Sequence, residues 1–207
     1  MSTNTGAREA REETMNWSGG VAPLGMSWQK LMMWIFIVTD GLLFAGFLAS
    51  YGLARTAAPT WPDQQEVFHL WFISLMTFVL ISSSATMATA VAAARLADWK
   101  KVANMVLATV GGGISFLAMQ AYEWGGLLRQ GVTISANPWN VPAFGNYFFL
   151  ITGFHGTHVL IGVIVLLTLA FRVRAGKTTP AGVELAGLYW HFVDLVWVFV
   201  FTLFYLV

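Results

Sequence analysis

The sequence predicts an all-α membrane protein, a five-transmembrane-helix bundle with the N-terminus cytoplasmic and the C-terminus outside. Three observations predict it. Hydrophobic residues make up 57% of the 207 positions and charged residues 10%, where a soluble domain carries about 25% charged residues. Five apolar stretches, near 30–53, 68–94, 102–122, 147–171 and 185–207, each reach the roughly 20 residues that a spanning helix needs. The basic residues sit on alternate connections: Arg8, Arg11, Lys30, Arg95, Lys100, Lys101, Arg172, Arg174 and Lys177 fall on one side, and only Arg55 and Arg129 on the other. The side rich in Lys and Arg is the cytoplasmic one.

Residues 1–29 read as a polar cytoplasmic tail holding Arg8, Glu9, Arg11, Glu12 and Glu13. No apolar stretch follows a positive start within it, so it does not read as a cleaved signal peptide. Residues 30–207 form one membrane domain. Its second span carries Ser82-Ser83-Ser84-Ala85-Thr86 and its third Gly111-Gly112-Gly113, small residues that let helix backbones approach closely in lipid. The outer connections hold Pro59, Trp61 and Pro62, then Pro138, Trp139 and Pro142, and tryptophans of this kind anchor a membrane–water interface. The absence of cysteine excludes disulfides, thiolate metal sites and a cysteine-ligated copper centre. The basic residues form no single face, which argues against a nucleic-acid partner.

The last span carries Tyr189-Trp190-His191-Phe192-Val193-Asp194-Leu195-Val196-Trp197. Trp190, His191, Asp194 and Trp197 recur at helical spacing and form one stripe. An ionisable side chain in hydrocarbon costs roughly 2.5–3.5 kcal/mol on insertion scales, so this stripe faces protein or water. At a rise of about 1.5 Å per residue, Asp40 lies roughly 15 Å into the first span, near the middle of a core about 30 Å thick. Asp194 reaches a similar depth, and so do His155 and His158 on the fourth span. Asp40, His155, His158, His191 and Asp194 are therefore expected to form a buried polar layer, satisfied by mutual pairing or hydrogen bonds within the bundle. His155, His158 and His191 also allow a metal or haem site, but a structural contact is the simpler reading, and a transmembrane proton relay would need polar groups at several depths. Glu123 differs: with Gln120 and Trp124 it is expected at the outer interface, where the third span ends and water reaches it. No catalytic residue and no metal site are expected in this chain.

At this point a family resemblance emerges. The 189–197 segment closely resembles the ending of subunit III of haem-copper terminal oxidases, Thr152-Gly153-Phe154-His155-Gly156-Thr157-His158-Val159 resembles that family's second signature, and Gln120-Ala121-Tyr122-Glu123 a third. The likeness runs from about Trp28 to Val207 and fits the short five-helix bacterial form of cytochrome c oxidase subunit III. It implies a non-catalytic subunit in the bacterial inner membrane that packs on catalytic subunit I and supports proton uptake and oxygen access during reduction of dioxygen to water. The haem and copper are then held by partner subunits, none by this chain. Bound phospholipid is implied too, with Arg172 and Arg174 as phosphate contacts, although a plain topology signal explains them equally. At Asp40 many cytochrome c oxidase members have glutamate and the quinol oxidase relatives resemble this chain, whereas 153–159 and 120–123 look more like the cytochrome c group; cytochrome c is the favoured donor. The competing class is a stand-alone proton-coupled carrier using Asp40 and Asp194, but the internal repeats common in such carriers are not visible.

Overall fold

The computed structural model describes residues 25–206; the expected polar tail, as far as residue 24, lies outside the described residues. The described residues are mostly helical, with α1 (Trp28–Ala57), the short α2 (Gln64–Val67), α3 (Leu70–Arg95), α4 (Trp99–Arg129), α5 (Pro142–Arg174) and α6 (Pro180–Val200), the last continuing as a π-helical segment, Phe201–Leu206. No strand occurs among the described residues. Five of these helices are long and apolar enough to cross a membrane, as the sequence predicts.

The helices outrun the apolar stretches. α5 has 33 residues, about 50 Å at 1.5 Å per residue, because its first turn starts at Pro142 and its last includes Arg172 and Arg174. Pro at the first helical position loses no hydrogen bond, so helix begins in the interfacial loop before hydrophobicity does. α4 likewise continues seven residues past Tyr122, to Arg129. Its end is a Schellman motif: Gly131 has φ +81°, its N–H bonds Leu128 O, and Val132 N–H bonds Leu127 O at 3.0 Å, which satisfies carbonyls the helix leaves over. Starts are capped too, Asp98 accepting from Lys101 N–H and Thr179 from Gly182 N–H, each replacing a missing backbone acceptor.

The chain divides into two compact units, Met1–Asp40 and Gly41–Val207, with the division inside α1. In the first, the described part of α1 is largely apolar surface, Met32 and Val38 each being more than half exposed. Thr39 turns its hydroxyl back onto the Ile35 and Phe36 carbonyls, and Asp40 is half-buried.

In the second unit α3, α4, α5 and α6 form a ring, each packing most heavily on its two neighbours. Their shared interior is filled by Met76, Leu80 and Met87 of α3, Phe116 of α4, Leu166 of α5 and Trp190 and Trp197 of α6. The rest of α1 meets α5 through large rings, Phe44 lying 5.0 Å from Phe154 between centroids, with Ser50 and Tyr147 sharing a hydrogen bond. Close approach depends on the small residues. A Cβ on Gly112 would stand 2.6 Å from Ser83 Cβ, and one on Gly113 2.6 Å from the Trp190 ring.

Candidate functional site

Of the stripe read on the last span, Trp190, Asp194 and Trp197 are buried and His191 is half-buried. The indoles aim their N–H groups at α3, Trp190 Nε1 donating to Ser83 Oγ at 3.0 Å and Trp197 Nε1 to Thr77 Oγ1 at 3.0 Å. Beside them Ser84 Oγ and His191 Nδ1 share a 2.5 Å hydrogen bond. The indoles at 190 and 197 on α6 thus meet hydroxyls at 83 and 77 on α3, seven residues apart on one helix and six on the other, running in opposite directions. Either spacing is close to two turns, so antiparallel neighbours repeat their contacts there. In a bilayer each bond also removes the cost of an unpaired polar group.

The signature at 152–159 serves the α4–α5 seam. Gln120 Nε2 donates to the Thr152 carbonyl at 2.7 Å, and Trp124 Nε1 to Thr152 Oγ1 at 3.2 Å. Gly156 leaves room for the amide, since a Cβ there would stand 3.0 Å from Gln120 Oε1; at Gly153 a Cβ would stand 3.1 Å from the Trp124 ring. Thr86 and Thr109 share a 2.8 Å bond between α3 and α4. Tyr189 OH donates to the His158 carbonyl at 3.0 Å, linking α6 to α5.

Of the two ways the expected polar layer could be satisfied, His158 and His191 show hydrogen bonds to other groups of the bundle. Within the second unit, mutual pairing is not what holds its members. His158 Nδ1–H donates to the Phe154 carbonyl one turn earlier, at 2.8 Å, and His191 bonds Ser84. His155 is fully buried between the rings of Phe116 and Trp197, at 5.6 and 5.0 Å, and neither ring nitrogen has a hydrogen-bond partner among the described residues. Neither carboxyl oxygen of buried Asp194 has one, although the Ser84 hydroxyl is a polar neighbour. Asp40 belongs to the other unit and is described there. Equal depth therefore does not pair His155, His191 and Asp194 with one another, because rotation about each helix axis decides which neighbour a side chain meets. Glu123 is likewise not at a helix end: it sits inside α4, half-buried, accepting from Tyr205 OH at 3.3 Å. Gln120 is buried rather than interfacial. Arg172 and Arg174 are exposed at the end of α5, with an Arg172 N–H 3.3 Å from the Lys177 carbonyl.

Sequence reasoning placed the tryptophans and passed over their acceptors. Ser83 and Ser84 read only as small packing residues, Thr152 as part of a signature, and Thr77 carries no reading; the overlooked signal is a pair of hydroxyls two helical turns apart on one span opposite two indoles two turns apart on another.

Fold and site together define a polytopic helical membrane protein in which several buried polar side chains join one helix to another. Residues 12–207 match the protein family described as cytochrome c oxidase subunit III. Among similar proteins, "Cytochrome c oxidase subunit 3" of Thermostichus vulcanus is 34% identical over 178 residues, covering 83% of this chain and 84% of that one. "Probable cytochrome c oxidase subunit 3" of Nocardia farcinica is 36% identical over 177 residues, covering 84% and 85%, and "Cytochrome c oxidase subunit 3" of Bacillus sp. (strain PS3) is 32% identical over 179 residues, covering 85% and 84%. This chain belongs to the cytochrome c oxidase subunit III family, which makes it one subunit of a multi-subunit membrane oxidase.

Proposed function

We propose that the chain is the non-catalytic subunit III of a bacterial respiratory terminal oxidase, docked on the haem-bearing catalytic subunit, with cytochrome c as the electron donor. It stabilises that subunit and supports its proton uptake and oxygen access while dioxygen is reduced to water. The observation that carries this reading is the use made of the four histidines. His69 is exposed ahead of α3, His155 is caged by rings, and His158 and His191 spend a nitrogen on a carbonyl and a hydroxyl. Among the described residues no three His, Cys, Asp or Glu side chains converge as metal ligands. The names of the relatives favour cytochrome c over quinol.

An apolar groove of about 430 Å³ between the second half of α1 and α6, lined by Phe44, Leu48, Phe192, Phe199 and Leu203 among others, supports the lipid and oxygen parts of the reading. Acyl chains and dioxygen both partition into such a surface in preference to water. Arg172 and Arg174 are placed to meet lipid phosphates from their end of the bundle.

The test is oxygen consumption by the complex with and without this chain, in matched lipid and with a resting control. A scaffold that speeds proton supply predicts a partly retained initial rate, then activity loss that scales with turnovers instead of elapsed time. A depleted complex that is dead from its first turnover with metals intact rejects the non-catalytic reading. Unchanged inactivation rejects the supporting role.

A further inference from the structure

His191 sits deep in the membrane with part of its ring uncovered. It comes two residues before Val193, the midpoint of the span Pro180–Leu206, which is about 3 Å along a helix axis. With the span centred in a hydrocarbon core about 30 Å thick, the residue is about 12 Å from the nearer polar boundary. Bulk water and lipid headgroups stop short of that depth, and an acyl chain offers no hydrogen bond. A polar atom open to the surface there is costly until another protein segment meets it.

The imidazole is held in place from behind. Its Nδ1 shares a 2.5 Å hydrogen bond with Ser84 Oγ of α3, so turning the ring gives that bond up. The other ring nitrogen, Nε2, has no hydrogen-bond partner among the described residues. It is not closed off either: His191 is only half-buried, and Nε2 is not among the enclosed unpartnered atoms, unlike both ring nitrogens of His155. Whichever nitrogen carries the proton, Nε2 is left with one bond to give or to accept outward.

The surface beside the ring suits a helix. Ala88, one turn from Ser84 on the same face of α3, is exposed, as are Ala85 and Ala92. Small residues at a lipid-facing surface let a neighbouring backbone come close, which is where interhelical hydrogen bonds form in membranes. Ile81 of α3 and Val198 of α6, 47% and 37% exposed, add apolar contact around the imidazole.

We propose that the outward groove between α3 and α6 at His191 receives a membrane-spanning helix of the haem-bearing catalytic subunit, which sets an uncharged hydrogen-bonding side chain on His191 Nε2. A charged partner is the poorer match, because a neutral imidazole leaves its charge uncompensated in hydrocarbon. The inference rests on the accessory role proposed above and names the surface through which it is exercised.

The test uses the oxidase complex assembled with the full chain. A photo-crosslinking phenylalanine derivative is placed at Ile81 or Val198, beside the groove, and at Leu160 or Ile164 on the exposed side of α5; adducts are mapped by peptide mass spectrometry. Adducts to a spanning helix of the catalytic subunit are expected from Ile81 and Val198. Adducts to that subunit from the α5 positions alone overturn this groove and leave the accessory role standing. Lipid adducts only at the groove, or adducts between two copies of this chain, overturn it as well. If no haem-bearing subunit co-purifies with the chain, both readings fall.

Two variants separate docking from internal structure. A Gln amide reaches about as far as Nε2 and an Asn amide about as far as Nδ1, so His191→Gln should retain the catalytic subunit while His191→Asn should retain it about fivefold less well, the loss of roughly one interhelical hydrogen bond. The thermal midpoint of the full chain should rank the two the other way, since Asn keeps the bond to Ser84. Retention that follows the thermal midpoint overturns the proposal, and if the variants do not assemble, the adduct map of the otherwise unaltered complex decides.

Discussion

The run Gly111-Gly112-Gly113 offers three chemically identical substitutions with opposite expected outcomes. A Cβ on Gly111 meets nothing within 4 Å, whereas on Gly113 it would stand 2.6 Å from Trp190 Cη2 and 2.7 Å from Val163 Cγ2. Carbon atoms rest about 3.5–4.0 Å apart, so the indole and the valine must each retreat by roughly 1 Å. The ring is poorly placed to do so: Trp190 is fully buried, its Nε1 is tied to Ser83, and on its other side a Cβ on Gly162 would stand 2.9 Å from Cζ3. Overpacking of this kind costs about 1–3 kcal/mol, and the helix propensity gained by replacing Gly with Ala returns up to about 1 kcal/mol. Gly113→Ala should therefore destabilise by about 1–2 kcal/mol, while Gly111→Ala should be neutral or stabilise by up to about 1 kcal/mol. The assay is thermal unfolding of the detergent-solubilised full chain, followed by circular dichroism. At about 2–4 °C per kcal/mol for a chain of this length, a difference of about 1–3 kcal/mol should separate the two midpoints by roughly 2–12 °C. A Trp190→Leu background should remove much of the Gly113→Ala penalty, since the clashing ring is gone, and a coupling of about 0.5–3 kcal/mol is expected for residues in contact. Equal shifts for Gly111→Ala and Gly113→Ala, or an undiminished penalty beside Trp190→Leu, would refute the interdigitation of α4 and α6.

Two further predictions separate structure from assembly. Neither carboxyl oxygen of Asp194 has a hydrogen-bond partner among the described residues, so Asp194→Asn should change the midpoint of the isolated chain little, by less than about 1 kcal/mol; a loss above about 3 kcal/mol, the size seen when a buried ion pair is broken, would mean that a partner within the chain holds it. If Asp194 acts in docking, the same variant should co-purify less of the catalytic subunit. For topology, an alkaline phosphatase fusion after Val207 should be active outside the cell and a fluorescent protein fused there should stay dark. A bright fluorescent fusion would invert the proposed orientation.

The sequence alone determined the membrane class and the count of five spans, because each rests on a property summed along one stretch of chain. Hydropathy over about 20 residues is enough to commit a segment to lipid, and the spacing of Trp190, Asp194 and Trp197 is a local helical periodicity. The three signature segments were also legible as such, and all three take part in helix-to-helix joints, indole to hydroxyl at Trp190–Ser83 and Trp197–Thr77 and amide to carbonyl at Gln120–Thr152. Only the tertiary structure decided the pairings. Asp194, His155 and His191 share a depth on paper, yet His191 meets Ser84, 107 residues away, while His155 meets aromatic rings. Depth follows from counting residues, but partnership depends on how each helix is rotated about its axis and how closely its neighbour comes. Those are fixed by contacts far apart in sequence, such as the 120 residues between Thr77 and Trp197. Helix ends escaped for a related reason, since hydropathy stops at the lipid boundary whereas hydrogen bonding and caps carry α4 on to Arg129, which places Glu123 under Tyr205 instead of in water.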